Sequence, residues 1–319
     1  MPRNQTRILL RHIPKFRKTF PNPACIGLKI ILSVTCLLSP NLFLAAQKII
    51  TPNGPKIWSQ DYRPFRIAGN LYYVGTYDLA CYLITTPKGH ILINTGLPGS
   101  APMIRSHVQA LGFRFRDIKI LLATHAHFDH VGDMAAIKKM TGAKLMIQEQ
   151  DAPVVADGGN SDYILGGKGA SFEPLRADSL LHDQDTIRFG GMRIAVLHHP
   201  GHTKGACSFL FDVKDRHHVY RVLIANMPTL LDETKLSGMP AYPQVGKDYA
   251  YTIGAMKKLR FDIWLSSHAS QFGLHKKHKP GAPYHPEAFI DQKGYDTALD
   301  DLERVYQNKL RTATTSNHS

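Results

Sequence analysis

After the run Ile118–Ala123 the chain reads Thr124-His125-Ala126-His127-Phe128-Asp129-His130, three imidazoles and a carboxylate within six residues. The run reads as a strand buried on both faces. In an extended segment His125 and His127 point to the same side. Asp129 and His130 follow in the turn that begins a helix. The segment offers two neighbouring clusters, one of imidazoles and one of carboxylate plus imidazole, and both groups are zinc ligands. Burying this many ionisable groups at a strand end is costly unless a metal neutralises the carboxylate and orders the rings. Exposure in a loop would account for one such histidine but not for four ligands at this spacing.

Two more histidines stand in matching contexts. His202 lies in Pro200-Gly201-His202-Thr203 and His268 in Ser266-Ser267-His268, each directly after a strand. Six potential ligands at three strand ends can converge at one edge of a sandwich. That supports two metal ions roughly 3.5–4 Å apart, a spacing suited to activating water and holding a leaving group. The other histidines receive no role. At most one of His198 and His199 supports a ligand, His217 and His218 sit in a hairpin turn, and His275, His278 and His285 read as part of a solvated basic stretch. Lys204 reads as a surface charge, or as an attractor for an anionic substrate.

The rest of the chain fits such a sandwich. Leu71–Val74, Cys81–Thr85, Ile91–Asn94 and Lys144–Ile147 read as strands. Pro98–Leu111 and Val131–Met140 read as helices that stop at Gly112 and before Gly142. The second half repeats the scheme with hairpins at 186–197 and 207–225, a helix at Ala250–Leu259, a strand at Asp262–Leu265 and a final helix at Tyr295–Leu310. Strands followed by βα units, twice over, predict an α/β fold of two mixed sheets with helices on the outer faces. The Gly-rich stretch 158–171 is not a phosphate loop, because Lys168 is followed by Gly169 rather than Ser or Thr. It reads as a surface loop over a groove, with Tyr163, Ile164 and Leu165 for apolar contact.

The net charge of +14 over 319 residues would suggest nucleic acid, but seven basic residues and no acid fall in residues 1–46. The remainder carries 32 basic and 25 acidic residues. Basic residues up to Lys29, the apolar run Ile30–Leu38 and Leu44-Ala45-Ala46 have the order of a secretory signal cut after Ala46. The expectation is a signal at 1–46, one domain at 47–319, and a secreted, periplasmic protein with no stable membrane association. Four cysteines rule out a disulfide-dense scaffold. Cys81 and Cys207, left after cleavage, either pair or serve as small buried hydrophobes. Neither Ser-x-x-Lys nor Gly-x-Ser-x-Gly occurs, so serine chemistry has no support.

His125-x-His127-x-Asp129-His130 with the distant His202 and His268 resembles the metallo-β-lactamase superfamily, over about residues 57–311. That resemblance implies an αββα sandwich. Pro64–Thr76, Ile91–Gly96 and Lys119–Leu122 are similar to the third subclass of class B β-lactamases. The family pattern carries His125, His127 and His202 onto one zinc and Asp129, His130 and His268 onto a second, with Asp129 also catalytic. The implied activity is opening of a β-lactam ring by metal-activated hydroxide, with a small-molecule β-lactam as partner, no nucleic acid, and a monomer.

The strand end Ile224-Ala225-Asn226-Met227 discriminates among branches. Glyoxalase-type and lactonase branches resemble each other there in a bridging Asp, and the first two β-lactamase subclasses have a Cys. A neutral amide cannot replace a bridging carboxylate, so a lactone or thioester hydrolase is the alternative rather than the main reading. The pattern departs from the subclass in Thr229, where a Ser near 226–227 is usual, and in Phe209, where Trp is usual. Thr229, Asn226 and Tyr163 are the expected substrate contacts.

Overall fold

A computed structural model describes residues 48–216 and 218–315. The expected signal at 1–46 and His217 lie outside the described residues. One sheet runs β1 (Phe65–Ala68), β2 (Leu71–Tyr73), β3 (Tyr82–Thr86), β4 (Gly89–Ile93), β5 (Ile118–Leu122), β6 (Lys144–Gln148) and β7 (Ser179–Leu181), in the same order in space as in the chain. Its first four strands form an antiparallel meander, and β4 to β7 are parallel. The second sheet holds β8 (Thr186–Phe189), β9 (Met192–His198), β10 (Cys207–Asp215), β11 (His218–Ala225) and β12 (Ile263–Ser266), in the order β12-β11-β10-β9-β8. Only its β11–β12 pair is parallel. Both sheets are therefore mixed, as expected.

Parallel neighbours need crossovers. Within the first sheet these carry α1 (Ala101–Ala110), α2 (Phe128–Val131), α3 (Met134–Thr141) and α4 (Ala152–Ala156). In the second half α5 (Val245–Met256) links β11 to β12, followed by α6 (Leu274–Lys277) and α7 (Gln292–Thr315). Period-two alternation sorts the side chains of the first sheet. Tyr82, Ile84, Ile91 and Ile93 join the core shared with the second sheet and with α5 and α7. Cys81, Leu83 and Leu92 point the other way, onto Ile104, Val108, Met134 and Ile137 of α1 and α3. Phe209 is fully buried in the inter-sheet core.

Several expectations are corrected. Lys119 in β5 is exposed, so that strand is covered on both faces only over its last three residues. Strand β4 ends at Ile93, because Asn94 leaves it with φ 61°, a left-handed conformation that Asn tolerates better than most residues. The Asn94 side-chain oxygen then accepts from the Thr124 N–H at 3.0 Å and holds the start of the histidine segment. The helix expected at Val131–Met140 is two helices. The break falls at Gly132, where a Cβ would lie 2.3–2.4 Å from the backbone of Leu97 and Pro98. Cys81 and Cys207 are free, buried thiols, which selects the unpaired alternative.

The basic stretch around His278 is only partly solvated: Lys276 and Lys279 are exposed as expected, but His278 is buried and His275 and Lys277 are half-buried. The His278 ring stacks on Phe65 with centroids 3.6 Å apart, and Tyr62 contacts it at Nδ1. His275 stacks on Tyr77 and meets its carbonyl oxygen at 2.8 Å. Lys277 pairs with Asp291 at 2.8 Å beneath the Trp264 ring. Aromatic partners from the first hairpin and β12 give these groups a place to bury, which charge counting along the chain does not reveal. His285, exposed beside Glu287, matches the expectation, as do Lys276 and Lys279.

Candidate metal centre

Strands β5, β9, β11 and β12 end at one edge of the sandwich. There the Cys207 N–H donates to the Thr124 carbonyl at 2.8 Å, and the Ala80 N–H donates to the Ser267 carbonyl at 3.0 Å, tying the two sheets together. His125 and His127 follow β5, Asp129 and His130 lie in α2, His202 follows β9 and His268 follows β12. All six side chains meet at this edge. The ligating atoms of His125, His127 and His202 lie within 4.8 Å of one another, and so do those of His125, Asp129 and His130. Asp129 Oδ2 is 3.1 Å from His130 Nε2 and 3.4 Å from His268 Nε2, and those two nitrogens are 3.2 Å apart.

The arrangement has the properties of a metal pocket. His125 Nε2, His127 Nε2 and His130 Nδ1 are buried with no hydrogen-bond partner among the described residues. Orphaned buried nitrogens are rare because each forfeits its hydration. Burial, then the neighbouring imidazoles, pushes His125 well below the ordinary histidine range. Burial pushes His202 down to about 3 and lowers His130 despite Asp129. Burial raises the proton affinity of Asp129, but His130 and His268 outweigh it and hold the carboxyl well below its usual range. At His127 and His268 the balance runs the other way: burial lowers both, but Asp162 outweighs it at His127, and Asp129 and Asp78 outweigh it at His268, raised to about 9. Imidazoles gathered round an ionised carboxylate are a donor set suited to zinc, whose binding would displace those protons.

Groups outside this cluster fix the ring directions. His268 Nδ1 lies 3.0 Å from Asp78 Oδ2, which also accepts from Trp58 Nε1 at 3.1 Å. His202 Nδ1 donates to the Thr229 carbonyl at 2.8 Å, leaving Nε2 for the centre. Asp162 Oδ2 sits 3.4 Å from His127 Nε2, and Asp162 Oδ1 accepts the Ile164 and Leu165 N–H groups. Asp151, fully buried, accepts from the Ala126 N–H, the Thr203 hydroxyl and the Gly205 N–H at 2.7–2.8 Å. One carboxylate thereby clamps the His125–His127 segment to the His202 turn. Sequence reasoning missed Asp78, Asp151 and Asp162. The only available signal was general: metal-bound histidines usually lean on an outer carboxylate.

A cleft of about 480 Å³ opens on the cluster. Trp58, Phe128, Leu165, Met227 and Leu231 give it apolar walls, and Asn226, Thr229 and Gln271 are polar groups on it. Asn226 is buried, and its Nδ2 has no partner among the described residues. Tyr163 is not on the cleft wall. Its hydroxyl donates to the Gly201 carbonyl at 3.0 Å, and its ring packs edge-on against Tyr242. The expected substrate contact is thus a support for the His202 turn, and Leu165 of the same loop faces the cleft instead. Lys204 places its ammonium 5.7 Å over the Tyr242 ring and also lies off the cleft. His198 Nε2 meets the Lys204 carbonyl and His199 Nδ1 meets the Ser208 hydroxyl, so neither touches a ligand histidine.

A family model described as the metallo-beta-lactamase superfamily matches residues 76–216. The chain is similar to the solved structure of a β-lactamase from Chitinophaga pinensis, at 61% identity and a TM-score of 0.82, covering 83% of this chain and 100% of that one. It is also similar to the class B3 di-zinc metallo-β-lactamase LRA-12 from an Alaskan soil metagenome, at 60% identity and a TM-score of 0.81, covering 82% and 100%. A curated relative, hydroxyacylglutathione hydrolase of Rhodopseudomonas palustris (strain BisB5), is 29% identical over 131 residues. That match covers 41% of this chain and 42% of the relative, so the chain spans less than half of that relative's length.

Proposed function

Because the chain belongs to the metallo-β-lactamase superfamily, we propose that it is a zinc-dependent β-lactamase that hydrolyses the lactam ring of β-lactam antibiotics. The observation that carries this reading is the gathering at one cleft of His125, His127 and His202 and, with ligand atoms 3.1–3.4 Å apart, of Asp129, His130 and His268, beside a strand end, Asn226-Met227, that offers neither carboxylate nor thiolate. His125, His127 and His202 would hold one ion, and Asp129, His130 and His268 the other. Bound there, zinc supplies a Lewis acid for the lactam carbonyl and water with a pKa lowered to about 7.

The chain's own residues do the rest. Asp129, ionised and buried beside the histidines, orients the attacking water. Water adds to the carbonyl carbon, the C–N bond breaks, and the proton ends on the ring nitrogen. Asn226 borders the cleft with its Nδ2 buried and without a partner among the described residues, and the Thr229 hydroxyl is the anchor for the substrate carboxylate. The apolar walls around Trp58 and Leu165 shield the reacting bond from bulk water, which strengthens each polar contact inside.

The thioesterase alternative has the partial likeness to the hydroxyacylglutathione hydrolase in its favour. Against it stands Asn226, a neutral amide where that branch resembles a bridging carboxylate. The leader reading of residues 1–46 supports a secreted, periplasmic protein acting on small molecules rather than nucleic acid. No helix among the described residues is long and apolar enough to cross a membrane.

The test sets a penicillin, a carbapenem and a hydroxyacylglutathione thioester before the purified protein, with zinc and after chelation. Zinc-dependent loss of the lactam absorbance is expected. Thioester hydrolysis without lactam opening would overturn the proposal.

A further inference from the structure

Gln271 joins two sides of the cleft. Its side-chain oxygen faces the His268 N–H at 3.2 Å and the Ser266 hydroxyl, and its Nε2 faces Thr229 Oγ1 at 3.1 Å. The backbone N–H of His268 can only donate, so the atom facing it is the amide oxygen and the atom facing Thr229 is the NH₂ group. An NH₂ group can only donate in turn. Thr229 Oγ1 must therefore accept, and its single proton is left for another partner. Among the described residues no other hydrogen bond reaches that hydroxyl, and it lies on the cleft wall.

We propose that Gln271 is a positioning residue that fixes the Thr229 hydroxyl as a donor toward the cleft, and so sets the preference for substrates carrying a carboxylate. The inference rests on the β-lactam reading above and deepens it. A hydroxyl free to rotate would offer a carboxylate either a proton or a lone pair. One that accepts from the Gln271 amide has its proton turned away from that amide and toward the cleft, with a second lone pair left over. The amide reads no metal ligand side chain, so its effect belongs to recognition of the substrate.

The experiment compares benzylpenicillin with its methyl ester, which has the same ring and no charge. Gln271→Glu keeps an acceptor for the His268 N–H but takes the Thr229 proton. Gln271→Met removes the donor to Thr229 without adding charge, and with it the acceptor for the Ser266 hydroxyl and the His268 N–H. The ratio of kcat/KM for acid over ester is expected to fall about 10-fold or more in Gln271→Glu and severalfold in Gln271→Met, through KM. Zinc content is expected to match that of the parent. In a Thr229→Val background the Gln271→Glu effect on the ratio should shrink to less than about twofold, because the path runs through that hydroxyl.

An unchanged ratio in both single variants would overturn the proposal. So would a Gln271→Glu effect of full size in the Thr229→Val background, which would mean direct charge repulsion. The same cycle is read by calorimetric binding of acid and ester to chelator-treated protein. Binding that depends on Gln271, with no turnover by the zinc-loaded protein, would sink the β-lactamase reading and keep this one. Turnover whose acid preference ignores Gln271 would do the reverse.

Discussion

Asp162 does not itself line the cleft, yet its Oδ2 lies 3.4 Å from His127 Nε2, a buried nitrogen with no hydrogen-bond partner among the described residues. A carboxylate behind a ligand histidine fixes its tautomer and raises its basicity. Asp162→Asn is expected to weaken zinc binding about 10–100-fold with little change in fold, read by competition with a chromophoric chelator. Equal affinity would remove Asp162 from the account. His199 gives a pH signature instead. Burial pushes its pKa from 6.5 down to about 4, and its Nδ1 lies 2.7 Å from a Ser208 hydroxyl that also accepts from the Asn226 N–H. Below pH 6.5 the unfolded chain takes a proton here that the folded chain refuses until about pH 4, so stability falls with pH across that window. His199→Asn should flatten the fall in melting temperature between those limits. The six candidate ligands stood out in the sequence because four of them share six residues. Asp78, Asp162 and Gln271 did not, because what each one faces is decided by distant chain segments.

At the scale of elements, the centre depends on how strand ends are held together. Asp151 is the acceptor for two backbone N–H groups and one hydroxyl from both histidine turns. Asp151→Ala would leave those buried donors without a partner and should cost about 3 kcal/mol or more. Urea denaturation measures this, and a loss below about 1 kcal/mol would show that the turns are held by other contacts. Strand positions were readable from short apolar runs between turn residues. Their ends were less so. Asn94 leaves β4 because its side chain is needed at Thr124, and the helix after the motif breaks because Gly132 packs against the Leu97–Pro98 backbone. Both departures answer contacts made across the fold, which local propensity does not encode.

For the whole molecule, two mixed sheets share one core and leave a single edge where strand ends bring ligands from positions 125 to 268 together. The sandwich itself was foreseeable from strands and βα units repeated twice. The aromatic cover over His275 and His278 was not, because basic residues in sequence give no hint of the rings above them. The central claim is that both three-ligand groups hold zinc and that both are needed to open a β-lactam ring. The direct measurement returns zinc stepwise to chelator-treated protein while metal content and penicillin hydrolysis are followed on the same sample, in the parent and in Asp129→Ala. The account predicts two zinc per chain in the parent, one in the variant, and most turnover lost with the second ion. Full turnover with one zinc bound, or an active Asp129→Ala protein, would contradict it.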